Sequence, residues 1–242
     1  MTAHRRSLTW SAWLRQLSNQ QTPALIWYSA PGERVELSGR VLENWVAKTS
    51  AFLEDELLLE EGSSLALTGR LHWRSLILAL AALRLGVELL PEEEASQADA
   101  LATFDANLAA SLPTSEVLLL EAQPLAMRYM GQLPAGVLDY LAEVRSYPDV
   151  YLGLSPDFPA GQAWPGMAQS QLLAQLEAES ARLADVRNPG QAAYLLEAQA
   201  LTPASLTEAL AALLAGYSLL LLDPLAPWPA DRLEQVKAQE RA

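Results

Sequence analysis

Three polar residues spaced one apart, Thr68, Arg70 and His72, are the first in the sequence whose types could hold a ligand together. They follow a short apolar run and precede a long one, so the spacing predicts a strand-to-helix corner, where open α/β sheets gather ligands. Thr68-Gly69-Arg70 could hold an anion against the free N–H groups of the helix that follows. A single glycine and a single arginine make that a sparse anion site, and the plainer role for His72 is to cap the helix or satisfy a local hydrogen bond. His4 is the only other histidine, and there is no cysteine. His clusters, thiolate metal sites, disulfides and cysteine nucleophiles are therefore excluded, and no metal or cofactor is expected.

Other candidates fall to simple chemistry. Gly153-Leu154-Ser155-Pro156-Asp157 surrounds a serine but lacks the second glycine of a nucleophile elbow, and its proline forbids continuation into a helix. The acidic runs Glu54-Asp55-Glu56 and Glu92-Glu93-Glu94 read as solvated faces, because adjacent acids do not point at a common substrate. Trp27, Trp45, Trp73 and Trp164 are sparse large side chains that belong to a core before they belong to a pocket.

The elements that must position these residues can be read from pattern. Ser7 to Leu17 predicts a short amphipathic helix, and Ala24 to Ser29 with Arg34 to Leu37 predicts a hairpin about Ala30-Pro31-Gly32-Glu33. Ser38 is the expected N-cap of a helix in which Leu42, Val46, Thr49, Phe52 and Leu53 recur at helical spacing. Ser64 to Thr68, a helix from Trp73 to Leu85 and a strand from Val87 to Leu90 form a βαβ unit, which implies a parallel pair. Ala100 to Phe104 and Val117 to Leu120 add strands, and Pro134-Ala135-Gly136 leads into a helix ending near Arg145. Tyr147 to Met167 is dense in proline and glycine and predicts irregular structure. Gln169 to Asp185 is helical, Ala192 to Leu196 a strand, and Thr202-Pro203 has the chemistry of a helix start. Ser218 to Leu222, fully apolar, predicts a strand central in its sheet, and Asp231 to Glu240 a charged helix. The expected fold is α/β: a layered, mostly parallel sheet flanked by helices, with an N-terminal β-hairpin.

Composition sets the frame for partners. The 242 residues are 51% hydrophobic but only 7% aromatic, enough for one large core built mainly from leucine and alanine. A net charge of −13 repels polyanions, so neither nucleic acid nor an anionic membrane is an expected partner. The polar N-terminus lacks the apolar run of a signal peptide, and no stretch reaches 18 unbroken apolar residues, so a cytoplasmic location is expected. No repeat or linker divides the chain, and residues 1–242 read as one domain.

Several runs resemble a known family. The hairpin, Ser38-Gly39, the run Asn44-Trp45-Val46-Ala47-Lys48-Thr49, Gly62 before a strand, His72-Trp73 opening an alanine-rich helix and Gly86 before the next strand are similar to the N-terminal lobe of AMP-binding enzymes, the acyl-CoA synthetase and luciferase-like adenylate-forming superfamily. Leu133-Pro134-Ala135-Gly136-Val137-Leu138-Asp139-Tyr140 resembles a run in short bacterial relatives of that lobe. The likeness spans about Thr22 to Asp223 and carries fold rather than function. Adenylation in that family implies a Ser/Thr/Gly-rich phosphate loop ending in Pro-Lys between the strand near Val117 and the helix near Gln169. Here Tyr147 to Pro159 carries no such loop and no lysine, and the family's later Thr-Glu and Thr-Gly-Asp signatures are missing. The resemblance therefore implies a cut-down, non-adenylating relative: a non-catalytic binding or interaction protein, with a homodimer or an unidentified protein as partner. The competing expectation is a small-molecule or acyl-adenylate-binding enzyme with a residual pocket near Thr68, Arg70 and His72.

Overall fold

A computed structural model describes residues 8–29, 33–112, 116–153 and 160–242. The hairpin turn at 30–32, His4 and the Ser155 run lie outside the described residues, apart from Gly153. Helix α1 (Trp10–Ser18) is capped by Thr9 and buries Trp10, Trp13, Leu14 and Leu17. The antiparallel strands β1 (Pro23–Tyr28) and β2 (Arg34–Ser38) follow. Ser38 caps α2 (Gly39–Asp55) as its type predicts, its Oγ accepting the Val41 N–H at 3.3 Å. A Cβ at residue 39 would stand 2.5 Å from the Leu17 carbonyl oxygen, so glycine is what lets α1 lie against the start of α2.

Next come β3 (Ser64–Leu67), α3 (Trp73–Leu85) and β4 (Glu88–Pro91), with β3 and β4 parallel as the βαβ pattern requires. Every residue of α3 is buried, and Gly86 ends it in the left-handed region at φ 79°. Beyond a 3₁₀ turn, Glu92–Gln97, lie β5 (Ala100–Thr103), α4 (Ala106–Ser111) and β6 (Glu116–Leu119).

The helix expected from Pro134 begins later. Gly136 adopts φ 78°, which no right-handed helix tolerates, and a two-residue strand β7 (Leu138–Asp139) pairs with β6. Only then does α5 (Tyr140–Val144) start, its cap being the Asp139 carboxylate, which accepts the Leu141 and Ala142 N–H groups. Inside the stretch predicted to be irregular sits a small hairpin, β8 (Gln162–Trp164) and β9 (Met167–Ala168), turning on Pro165-Gly166. The chain continues through α6 (Gln169–Asp185), β10 (Ala193–Leu195), α7 (Pro203–Leu214), β11 (Ser218–Leu222) and α8 (Ala230–Glu240).

The strands form two larger sheets rather than one. The first runs β10-β11-β1-β2 and is parallel except for β2 at its edge; the second, β4-β3-β5-β6-β7, is wholly parallel. One continuous core joins the inner faces of both sheets with α1, α2, α3, α6 and α7. The outer face of the second sheet packs under α4, and that of the first under α8 through Val236. The end of α8 is fastened to the hairpin. Arg34 grips both Glu240 carboxylate oxygens, at 2.9 and 3.1 Å, and the Tyr28 hydroxyl donates to the same carboxylate at 2.5 Å. Burial alone would raise the Glu240 carboxyl; the bonds from Arg34 and Tyr28 outweigh it and hold the group below the usual range. No helix among the described residues is long and apolar enough to cross a membrane.

Candidate functional site

The segment after β3 crosses to the loop preceding α7. Gly69 accepts the Leu201 N–H at 2.7 Å, and Arg70 forms an isolated antiparallel bridge with Ala200. Thr68 is buried, and its hydroxyl accepts the Arg70 N–H at 3.3 Å. Arg70 reaches from the second sheet to the first: its Nη2 lies 3.4 Å from Oδ2 of Asp223, just past β11, while the guanidinium sits 4.9 Å over the Phe104 ring.

His72 is fully buried and has a cap's geometry. Its Nδ1 accepts the Arg74 N–H at 3.1 Å, so the other nitrogen carries the proton and donates to the Ala122 carbonyl at 3.2 Å. The ring meets Trp27 and Phe104 edge-on and stacks on Trp73. Burial, followed by the positive charges of Arg74 and Arg70, pushes its pKa well below the ordinary value, so the imidazole stays neutral.

That has a measurable consequence. Below the unfolded value of about 6.5 the unfolded chain takes up a proton that folded His72 refuses, and each further pH unit costs about 1.4 kcal/mol until the folded pKa is reached. Urea unfolding between pH 7 and 5 is expected to reveal that slope. His72→Asn, which keeps a capping side chain but does not titrate there, should flatten it. A slope equal in both proteins would assign acid sensitivity to other groups.

The structure thus brings Arg70 and His72 together at the Phe104 ring and turns Thr68 elsewhere. Thr68 lines a cavity of about 310 Å³ between the ends of β3 and β4 and the start of α7. Leu89, Leu90, Trp164, Leu201 and Leu206 give it a mainly apolar wall, with Glu94 as the one formal charge among the described residues that line it. The Thr202 and Pro203 start of α7 also borders it, Thr202 capping the helix by accepting the Ser205 N–H at 3.2 Å. Among the described residues no group of three or more His, Cys, Asp or Glu side chains is placed to hold a metal.

One residue that sequence reasoning passed over dominates this corner. Arg74, 1% exposed, donates to three main-chain carbonyls: Glu121 at 2.5 Å, Gln123 at 3.0 Å and Pro124 at 3.1 Å. Its guanidinium also stacks 4.4 Å from the Trp73 ring. An arginine in the first turn of a helix that is otherwise apolar but for Ser75 and Arg84 was the only available signal.

A comparison of folds places this architecture. The crystal structure of an acyl-CoA synthetase from Brucella canis superposes with a TM-score of 0.74 over 97% of this chain, at 16% identity. The N-terminal subdomain of NpsA from Klebsiella oxytoca, in complex with 3-hydroxyanthranilyl-AMSN, matches across 100% of the chain with a TM-score of 0.65 and 15% identity. The fold is that of the N-terminal lobe of adenylate-forming enzymes. This N-lobe chain spans 46% of the Brucella enzyme and 61% of the Klebsiella subdomain. Acetoacetyl-CoA synthetase from Streptomyces lividans gives a TM-score of 0.70 at 17% identity, over 97% of this chain and 41% of that one. In sequence the N-lobe chain is 31% identical over 165 residues to a TIGR03089 family protein of Mycobacterium tuberculosis, an alignment covering 66% of each. No protein-family model matches it. The N-lobe chain has two lysines, Lys48 and Lys237. Lys48 is bound to Asp149 at 2.8 Å and to the Tyr147 carbonyl, and Lys237 lies on α8 beside Glu234.

Proposed function

We propose that this chain is a non-adenylating binding protein on the N-lobe scaffold, with the cavity between β3, β4 and α7 as its ligand site. The cavity itself carries the reading: about 310 Å³, bordered by Thr68 and Thr202 and walled mainly by leucine, tryptophan and proline. Such an enclosure at the carboxyl ends of parallel strands suits a small molecule with an apolar body. Glu94 on its rim disfavours a carboxylate or phosphate and favours a neutral or cationic polar end. Arg70 and His72 do not line the cavity: one spans the two sheets, and the other caps the helix that follows β3.

Against adenylation stands the chemistry of residues 147–159, which offer neither a hydroxyl- and glycine-rich cradle nor a lysine to a triphosphate. Purified protein is expected to exchange no pyrophosphate into ATP with any carboxylic acid. Ligand-observed NMR with small neutral, cationic and anionic fragments should find binders in the first two classes, and Leu206→Trp, which fills the cavity, should remove them. Protein-dependent exchange above a heat-killed control, or binders indifferent to Leu206→Trp, would overturn the reading.

A further inference from the structure

The surface holds a second feature, independent of the cavity. Residues 122–138 contain no carboxylate in a chain that has 29, and they carry the exposed side chains Leu125, Met127, Met130 and Leu133. The loop is well held. Arg74 fixes its first carbonyls, the Glu121 carboxylate accepts the Gln123 and Met130 N–H groups at 2.9 Å, and Asp139 accepts the Tyr129 N–H at 2.7 Å. Arg128 on the loop and Arg145 just past α5 are exposed, and neither pairs with a carboxylate among the described residues. Arg145 Nη1 lies 2.8 Å from the Met127 sulfur.

From Arg145 the chain runs along α2. Arg145 shares a shallow groove with Trp45 and Lys48; Asp149 then pairs with Lys48, and the Tyr151 hydroxyl donates to Glu54 at 2.8 Å, six residues further along the helix. Val150 and Leu152 on this segment are exposed, and just past the helix end so is Leu58, at 78%. Around that end stand Asp55, Glu56, Glu60 and Glu61. One flank of the molecule therefore bears an apolar strip that carries Arg128 and Arg145, with Glu143 beside them, at the Met127 end and only carboxylates at the Leu58 end.

Leu58 also occupies a backbone position that suits another residue. At φ 53° it lies in the left-handed region, where glycine is the usual occupant and a leucine side chain is strained. Its neighbours Leu57 and Leu59 are buried while its own side chain stands in solvent. The left-handed turn closes the end of α2, where the Leu59 N–H reaches the Leu53 carbonyl at 3.0 Å, and it leaves the Leu58 side chain in solvent, open to a contact outside this chain.

We infer that this flank is the interface of a twofold dimer, in which the Met127–Arg145 end of one copy lies on the Leu58 end of the other. A strip with opposite charges at its ends is complementary to itself under a twofold axis, each dimer then containing the cationic-to-acidic contact twice. The overall charge of −13 makes an anionic membrane a poorer occupant than a second copy, which offers matched apolar and charged ends together.

Sedimentation equilibrium across a hundredfold range of micromolar concentration is expected to give twice the 26.3 kDa chain mass. Leu58→Gly should raise the thermal midpoint of the chain, by relieving the backbone, and yet weaken dimerisation severalfold. Two charge-reversed proteins settle the arrangement. One carries Arg128→Glu with Arg145→Glu, and the other Asp55→Lys, Glu56→Lys and Glu60→Lys. Each alone should be monomeric, and an equimolar mixture should form a two-chain particle. A wild-type chain that stays monomeric throughout, a mixture that does not associate, or a flank that takes up anionic vesicles in place of a second copy would overturn the inference.

Discussion

Leu220→Asp is expected to abolish folding, and Glu93→Ala to leave the thermal midpoint where it was. Leu220 lies mid-strand in β11, paired in register with Leu195 of β10 on one side and Ile26 of β1 on the other, and it is fully buried. Its side chain packs with Ile26, Tyr28, Ala193 and Val236 under α8. A carboxylate there would lose its water and gain no donor, since the bonds of the neighbouring backbone are already spent within the sheet. Burying an unpaired acid costs several kcal/mol even after it neutralises itself by taking up a proton, against a total stability of about 5–15 kcal/mol. Deleting the leucine adds a further loss of about 2–5 kcal/mol of packing. Glu93 is exposed in the 3₁₀ turn after β4 and makes no hydrogen bond or ion pair among the described residues, so its removal changes little. Circular dichroism and calorimetry on the two variants check both halves. A cooperative transition for Leu220→Asp near that of wild type would mean that β11 is not central.

The same strand shows what the sequence could and could not reveal. Ser218 to Leu222 was legible because four consecutive leucines between a glycine turn and Asp223-Pro224 have no other economical place. Likewise α2, α3 and α7 announce themselves through Ser38, Gly86 and Thr202-Pro203, whose capping chemistry is local. Pairing is not local. That β1 lies beside β11, with Leu25 opposite Leu219, divides the strands into two sheets, and no pattern within either strand encodes it. The elements missed, β7 and the hairpin of β8 and β9, are two or three residues long, too short for any period to register.

The corner after β3 was legible in part for a related reason. A histidine at a strand-to-helix junction has capping chemistry of its own, and His72 does cap α3. Which side chains share a cavity depends on where the loop before α7 lands. Leu201 docks on Gly69, which sets Thr202 and Leu206 in the same cavity as Thr68, while Arg70 is drawn away to Asp223. Arg74 was silent because its partners are main-chain carbonyls, which carry no residue-type signal at all.

Replacing Arg74 tests that hidden role. Burial lowers its pKa from the ordinary 12.5 to about 10, so holding the charge there is unfavourable, yet the group stays charged at neutral pH. Against this stand three hydrogen bonds from a charged donor, each contributing about 1.5–3 kcal/mol. The bonds win, so Arg74→Met is expected to destabilise the protein by about 3 kcal/mol, the carbonyls of Glu121, Gln123 and Pro124 being left without donors. Arg74→Lys should be no better than methionine. It keeps a buried charge, and one ammonium on a flexible stem cannot span three carbonyls that a planar fork reaches together. The damage should also be local first. In hydrogen exchange the Gln123 and Met130 amides, which the Glu121 carboxylate holds, should lose protection before those of β11 do. Because that loop presents Met127 and Arg128, a slack loop should weaken the proposed dimer at temperatures where the core is still folded. Restoration of the wild-type midpoint by lysine would reduce Arg74 to a charge, and unchanged protection at Met130 would detach it from the loop.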